Sequence, residues 1–139
     1  MNVELSLRKF GLRPNESSLP AIRQMLNEEA QAEREGRERE EDLALLCAVQ
    51  LFSAGLVEDV LPIWRAKQSG FDLGCYLGVQ LLCGPGLSET KVALSVGDEP
   101  DAAEALARIE ECERAGDFEG FSRKAVLDEY VAYFGLEAK

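Results

Sequence analysis

Two stretches of this chain repeat nearly the same order of residues, and this repeat constrains the fold more than any other feature. The first, CAVQLFSAGLVEDVLPIW, covers Cys47 to Trp64, and the second, LGVQLLCGPGLSETKVAL, covers Leu77 to Leu94. Each contains Val-Gln-Leu, further apolar residues, a corner of small residues, Gly-Leu, a glutamate two places later and a second apolar run. This order predicts a helix, a tight corner and another helix in each copy.

The spacing of the repeat extends to a third unit. The position of Val49 recurs thirty residues later at Val79, and again thirty residues later at Ile109. The corner glycines follow at nearly the same period, at Gly55, Gly86 and Gly116. Three helix–turn–helix units of about thirty residues predict an all-α fold, in which antiparallel helix pairs stack as a short α-solenoid of the HEAT-like kind. The alternative is an irregular helical bundle, because antiparallel helix pairs share short glycine corners in any case.

The length of 139 residues predicts a single all-helical domain over residues 1–139. Residues 1–16 are interpreted as an extended lead-in, because VELSL (Val3–Leu7) alternates at a period of two. Residues 30–40 are interpreted as a charged connection between two helices, centred on Gly36.

Charge and composition narrow the class of function. The net charge is −11, and residues 87–139 hold thirteen acidic against six basic residues, a balance of −7. Phosphate contacts need basic patches, so we expect no direct nucleic-acid binding and instead a basic protein as partner. The chain has no histidine, which removes the commonest general base and zinc ligand. We therefore expect no enzymatic activity, no metal site and no cofactor.

Several features favour a cytoplasmic location. The N-terminus, MNVELSLRKFGLRP, lacks the apolar segment of a signal peptide, and no apolar run is long enough to span a bilayer. The four cysteines lie in apolar runs without a CxxC motif, which predicts reduced, buried thiols.

The segment PIWRAKQSGFD, followed by VQLLCGPGLSET, resembles a family of small uncharacterised bacterial proteins. The resemblance covers about residues 56–94 and implies no activity and no functional residue. The thirty-residue period is also similar to short HEAT-like repeats, which implies a scaffold that binds proteins.

One polar cluster surrounds the turn between two predicted helices and contains Arg65, Lys67, Asp72 and Tyr76. Two cations and a carboxylate at a turn are suited to clamping a small anionic ligand or a partner's carboxylate. The alternative is structural: Asp72 caps a helix, and the two cations form the outer face of a helix whose inner face carries Trp64.

The C-terminal third combines acidic residues with five of the chain's ten aromatic residues. An acidic surface with aromatic residues suits contact with a basic protein. The predicted contacts with that partner are Glu104, Glu111, Asp117, Glu119 and Tyr133. The alternative is that the aromatic residues close the end of the helical stack.

Three functions follow as hypotheses. The first is a non-enzymatic, acidic protein-interaction domain, in its specific form an immunity or antitoxin-like protein that neutralises a basic effector. The second is a small-molecule or enzymatic cleft near Arg65, Lys67 and Asp72. The third is a structural homodimer that associates through the apolar helix Leu43–Phe52.

Overall fold

The computed structural model describes residues 1–136, which contain eight α-helices and no β-strand. The prediction of an all-α fold is confirmed. Three short 3-10 turns, at Glu16–Ser18, Val57–Asp59 and Val79–Cys83, join the α-helices. The helices are α1 Val3–Phe10, α2 Leu19–Arg34, α3 Leu43–Ala54, α4 Val60–Lys67, α5 Phe71–Tyr76, α6 Leu87–Ser95, α7 Pro100–Arg114 and α8 Arg123–Tyr133.

Helix α3 lies at the centre of the molecule. Its residues from Leu43 to Phe52 are all buried, and it packs against α2, α5, α8 and the 3-10 turn Val79–Cys83. A helix that is apolar on all sides is stable in water only when it is enclosed on all sides. The apolar residues Leu43–Phe52 are therefore the core of one chain, and the proposed dimer surface on this helix is wrong.

The helices form a bundle, and the solenoid-like stacking is not confirmed. Helix α4 packs against both α2 and α7, and α3 packs against both α2 and α8. A solenoid would restrict each helix pair to contacts with its neighbours. The second repeat copy also differs from the prediction, because its Val-Gln-Leu lies in the 3-10 turn Val79–Cys83 and not in an α-helix.

The interpretation of residues 1–16 as an extended lead-in is wrong, because Val3–Phe10 is helical. Val3, Leu7 and Phe10 recur at helical spacing and pack against the core, whereas Leu5 is exposed. The side chain of Asn2 accepts a hydrogen bond from the amide of Leu5 at 2.9 Å and so caps the helix. The period-two pattern of VELSL was also compatible with this helical stripe.

The charged connection is shorter than predicted. Helix α2 continues to Arg34 because Ala30 and Ala32 are still buried, so the connection covers residues 35–42. Among the described residues, no helix has both the length and the hydropathy required to cross a membrane.

A buried ion pair fixes α2 to the turn before α4. Asp59 is 2% exposed, and Arg23 donates to its carboxylate through Nε at 2.6 Å and through Nη2 at 3.1 Å. This bidentate hydrogen bond raises the pKa of Arg23. The Asp59 carboxylate therefore has a structural role, because it connects α2 to this turn.

Candidate functional site

The acidic residues of the C-terminal third border a cavity of about 200 Å³, which we call the acidic pocket. It lies between the 3-10 turn Val79–Cys83, the loop 115–122 and helix α8. The residues that give it its chemical character are Gln80, Asp117, Glu119, Phe121, Glu129 and Tyr130. Two of them, Asp117 and Glu119, are predicted partner contacts, and the structure places both at the same cavity.

The loop 115–122 has a defined shape because both of its sides are attached to the core. Phe118 and Phe121 contact each other edge to face with ring centroids 5.4 Å apart, and Phe121 also contacts Phe52 of α3 at 6.5 Å. Gly116 and Gly120 have φ values of 94° and 71°, which side chains other than glycine rarely adopt. The Asp117 and Glu119 carboxylates therefore project from a loop held in place.

Gln80 and Ser122 complete the frame of the acidic pocket. The side-chain amide of Gln80 donates to the carbonyl of Asp117 at 2.8 Å, which ties the loop to the second repeat copy. The Ser122 hydroxyl accepts a hydrogen bond from the amide of Ala125 at 2.9 Å and caps α8. The helix therefore starts where it presents Glu129 and Tyr130 to the cavity.

The charge of the acidic pocket is entirely negative. Three acidic residues line it, Asp117, Glu119 and Glu129, and no basic residue is among the described lining residues. The two cations at the start of α8 bind elsewhere: Arg123 donates to the Ser53 carbonyl at 2.8 Å, and Lys124 pairs with Asp128 at 2.6 Å. Burial raises the pKa of Tyr130 to about 12, so its hydroxyl stays neutral. Aromatic faces beside carboxylates suit a lysine or arginine side chain.

The remaining predicted contacts lie outside this pocket. Glu104 and Glu111 are exposed on α7, two helical turns apart on one face, and Glu111 forms an ion pair with Arg108. Tyr133 is 53% exposed and lines a second cavity of about 170 Å³, which we call the tyrosine pocket. Its characteristic residues are Arg39, Glu40, Glu41, Asp42, Tyr76 and Tyr133.

The tyrosine pocket joins residues that the sequence assigned to two different hypotheses. Tyr76, from the alternative polar cluster, and Tyr133, from the partner contacts, line the same cavity. The Tyr133 hydroxyl donates to the Asp42 carboxylate at 2.9 Å, and this hydrogen bond raises the pKa of Tyr133. Asp42 has a φ of 60° and is the one described non-glycine residue in the left-handed region. Ninety-one residues separate it from Tyr133, so no local pattern indicated the contact.

The other members of the predicted polar cluster do not converge. The Arg65 guanidinium donates to Asp101 at 2.6 Å and to Glu99 at 3.1 Å, and the hydrogen bond to Asp101 raises its pKa. The Lys67 ammonium group instead donates to the carbonyls of Gly74 and Leu77, both at 2.6 Å, and burial lowers its pKa. Arg65 binds at the start of α7, whereas Lys67 holds the end of α5.

Asp72 does not cap α5 as predicted. The N-cap position belongs to Gly70, and Asp72 is exposed in the first turn. The Glu33 carboxylate of α2 accepts a hydrogen bond from the Leu73 amide at 3.1 Å and serves this helix end instead. Although burial opposes it, this bond and the nearby Arg39 lower the pKa of Glu33.

The thiols differ in exposure. Cys47, Cys83 and Cys112 are buried, whereas Cys75 on α5 is exposed, contrary to the prediction that all four are buried. Burial raises the pKa of both Cys47 and Cys83 to about 12, so these two thiols are protonated at neutral pH. Within residues 1–136, no cluster of three acidic or cysteine side chains is arranged to hold a metal ion.

Searches of protein-family models, of curated proteins and of solved structures gave no match to this chain. The resemblance of residues 56–94 to small bacterial proteins stays a prediction.

Proposed function

We propose that the protein is a non-enzymatic interaction domain whose acidic pocket takes up a basic side chain of a partner protein. The observation that carries this proposal is a cavity of about 200 Å³ with three acidic residues, two aromatic residues and no basic residue in its described lining. A lysine or arginine that enters such a cavity gains both charge-assisted hydrogen bonds and contact with the ring faces.

The wider charge distribution supports the same partner. Glu104 and Glu111 are exposed on α7, the helix that precedes the loop of the acidic pocket. Glu111 contributes less because Arg108 already pairs with it. With a net charge of −11, the chain attracts basic proteins over distances of about a Debye length, roughly 8 Å at physiological salt.

The specific form of the proposal is a bacterial, cytoplasmic protein of the immunity or antitoxin kind, which neutralises a basic effector by covering its positive surface. The small size and the acidic charge support it. Its direct test is the neighbourhood of the gene: co-expression with the product of an adjacent toxin-like gene is expected to yield a complex and to restore growth.

The binding of a basic side chain is tested with a fluorescent peptide of alternating lysine and glycine, followed by anisotropy. The variant Asp117→Asn/Glu119→Gln/Glu129→Gln removes the three carboxylates, and we expect its dissociation constant to rise about tenfold. The matched control, Glu16→Gln/Glu28→Gln/Glu38→Gln, removes three exposed carboxylates elsewhere and keeps the same net charge. We expect that control to change binding less than about twofold.

Two results would contradict the proposal. Equal losses in the two triple variants would mean that the peptide responds to net charge and not to the pocket. Binding that is equally strong at low and at high salt would remove the electrostatic basis of the interaction.

A second candidate function rests on the tyrosine pocket. Its lining combines Tyr76 and Tyr133 with the acidic residues Glu40, Glu41 and Asp42, which suits a small organic amine. This pocket replaces the predicted cleft near Arg65, Lys67 and Asp72. Of the predicted polar cluster, only Tyr76 lines the tyrosine pocket. A thermal-shift screen of small organic amines tests it, and a hit must be lost in Tyr76→Ala to count as binding at this pocket.

A further inference from the structure

An apolar groove lies at the opposite end of α7 from the acidic pocket. It has a volume of about 90 Å³ and is formed between the turn Val57–Asp59, the first half of α4 and the end of α6. Its lining combines the buried residues Val60, Leu94 and Ala102 with the more exposed Val57, Ala93 and Gly97. The groove therefore has the shape of a hole that can receive one apolar side chain.

Exposed valines extend this apolar surface beyond the groove. Val57 is 53% exposed, and Val92 on α6 and Val96 at its C-cap are 63% and 75% exposed. Val92 and Val96 are four residues apart, and each directly precedes a residue that lines the groove, Ala93 or Gly97; we call this pair the valine ridge. Exposed apolar side chains beside a groove are typical of interaction sites in proteins.

The rim of the groove is acidic. Asp98 and Glu99 line it, and the side chain of Glu58, next to Val57, is 68% exposed. Arg65 pairs with both Glu99 and Asp101, and Arg23 pairs with both Glu58 and Asp59. Each arginine balances only one of its two carboxylates, and Asp98 adds a further carboxylate, so the rim keeps a net negative charge. A segment that fits this surface must present an apolar side chain flanked by lysine or arginine.

We propose that the groove is a docking site for an amphipathic, basic helix of a partner protein. An apolar residue of that helix occupies the groove beside Ala93 and Gly97, and its basic residues face the net negative rim of Glu58, Asp98 and Glu99. A helix fits because the ridge of Val92 and Val96 can pack into the space between its side chains. The site goes beyond the proposed function: α7 has 15 residues and spans roughly 20 Å, which separates the groove from the acidic pocket.

The test uses a labelled 18-residue peptide of leucine and lysine arranged as an amphipathic helix. We expect saturable binding with amide shifts in nitrogen-15 spectra concentrated at Val57, Ala93 and Gly97. Val96→Ser removes an exposed apolar side chain without adding a charge, and Ala93→Leu fills the hole. Each is expected to weaken binding about tenfold. The control Leu5→Ser, on an exposed apolar residue of α1, is expected to leave binding unchanged.

Each of the following four results would contradict the proposal of a docking groove. If both groove variants bind the peptide as well as the unmodified protein, the groove is not the docking site. If a peptide with glutamate in place of lysine binds equally well, the acidic rim does not select the partner. If the protein self-associates and Val96→Ser abolishes this, the occupant is a second copy of the chain. Shifts concentrated around Asp117 and Glu129 would assign the peptide to the acidic pocket instead.

Discussion

The two copies of the repeated stretch, residues 47–64 and 77–94, have similar sequences and different local structures. In the first copy Val-Gln-Leu lies within the 12-residue helix α3, which ends at Gly55. In the second copy it lies in the five-residue 3-10 turn Val79–Cys83, after a helix of only six residues. Both copies nevertheless bury their valine and first leucine: Val49 and Leu51 in one, Val79 and Leu81 in the other. The shared residues thus specify burial, whereas their neighbours decide the type of helix.

The neighbours of the second copy stop the α-helix before Val79. Leu77 and Gly78 are extended, with ψ values of 96° and 149°. The Lys67 ammonium group binds the carbonyls of Gly74 and Leu77, which are the groups that a longer helix would use for its next hydrogen bonds. A helix of six residues with a glycine inside it is also intrinsically weak.

The glutamines of the two copies have parallel roles. Gln50 is fully buried, and its amide donates to the Gly11 carbonyl at 2.9 Å and to the Ser6 hydroxyl at 3.2 Å. Gln80 is half-buried and donates to the Asp117 carbonyl at 2.8 Å. The first glutamine holds α1 against the core, and the second holds the loop of the acidic pocket.

The largest expected effect on stability comes from a substitution that disturbs the contact between the two copies. A Cβ atom on Gly84 would lie 2.7 Å from the Phe52 carbonyl oxygen and 3.1 Å from its Cα, both of them backbone atoms. Gly84 has an ordinary right-handed helical conformation, so the cost of Gly84→Ala is steric and not conformational. We expect a loss of about 2 to 3 kcal/mol in the free energy of unfolding, measured by urea denaturation.

The matched control for this experiment is Gly74→Ala. An added Cβ on Gly74 has only an ordinary contact of 3.4 Å, and the residue lies inside α5. Higher helix propensity is expected to raise stability by up to about 1 kcal/mol. If the two alanine variants destabilise the protein equally, the close approach to the Phe52 backbone is not the reason for glycine at position 84.

The next effect concerns the buried glutamine of the first copy. Gln50→Leu keeps an apolar side chain of moderate size in the core but leaves the Gly11 carbonyl and the Ser6 hydroxyl without their donor. The loss of satisfied buried hydrogen bonds is expected to lower the free energy of unfolding by about 2 kcal/mol. Hydrogen exchange should show faster opening of α1 than of α3. Unchanged hydrogen exchange in α1 would mean that its apolar contacts alone hold it against the core. The control is Gln24→Leu, on the exposed face of α2.

The sequence predicted those parts of the fold that depend on helical periodicity. The helical character and the burial of Trp64 follow from apolar residues at helical spacing. The helix Val3–Phe10 was missed because five residues that alternate at a period of two also fit one helical stripe. The second copy was misread because the bonds that end α5 come from Lys67, and a sequence pattern does not specify such side-chain contacts.

The candidate site was predicted in part for the same reason. Asp117 and Glu119 were found because acidic residues cluster along the chain, and they meet at one pocket. Gln80 and Glu129 come from other elements, and only tertiary packing brings them to the loop. The repeat did contain one usable signal, since Gln80 occupies the position of Gln50. The Asp42–Tyr133 contact had no signal, because it joins residues 91 positions apart through a backbone conformation unusual for aspartate.

A substitution of Lys67 tests whether this residue has a structural role or a binding role beside the second copy. Lys67→Met keeps the apolar part of the side chain and removes the donor to the carbonyls of Gly74 and Leu77. If Lys67 terminates α5, the free energy of unfolding falls by about 1 kcal/mol. Lys124→Met removes an exposed ion pair and is expected to change stability by less than about 0.5 kcal/mol. Equal stability of the two variants would return Lys67 to the list of candidate binding residues.

The smallest expected effect on stability is also the one that connects the repeat to the function. Gln80→Ala removes a single, partly exposed hydrogen bond to the Asp117 carbonyl, so we expect a loss of about 0.5 kcal/mol. Its effect on the loop is expected to be larger, because Asp117 and Glu119 then lose their link to the second copy. Binding of the lysine–glycine peptide should weaken by about threefold while all three carboxylates remain. A loss of about 0.5 kcal/mol in stability leaves the protein almost fully folded, so by itself it does not weaken binding. Unchanged binding would therefore mean that Gln80 supports the fold and not the geometry of the acidic pocket.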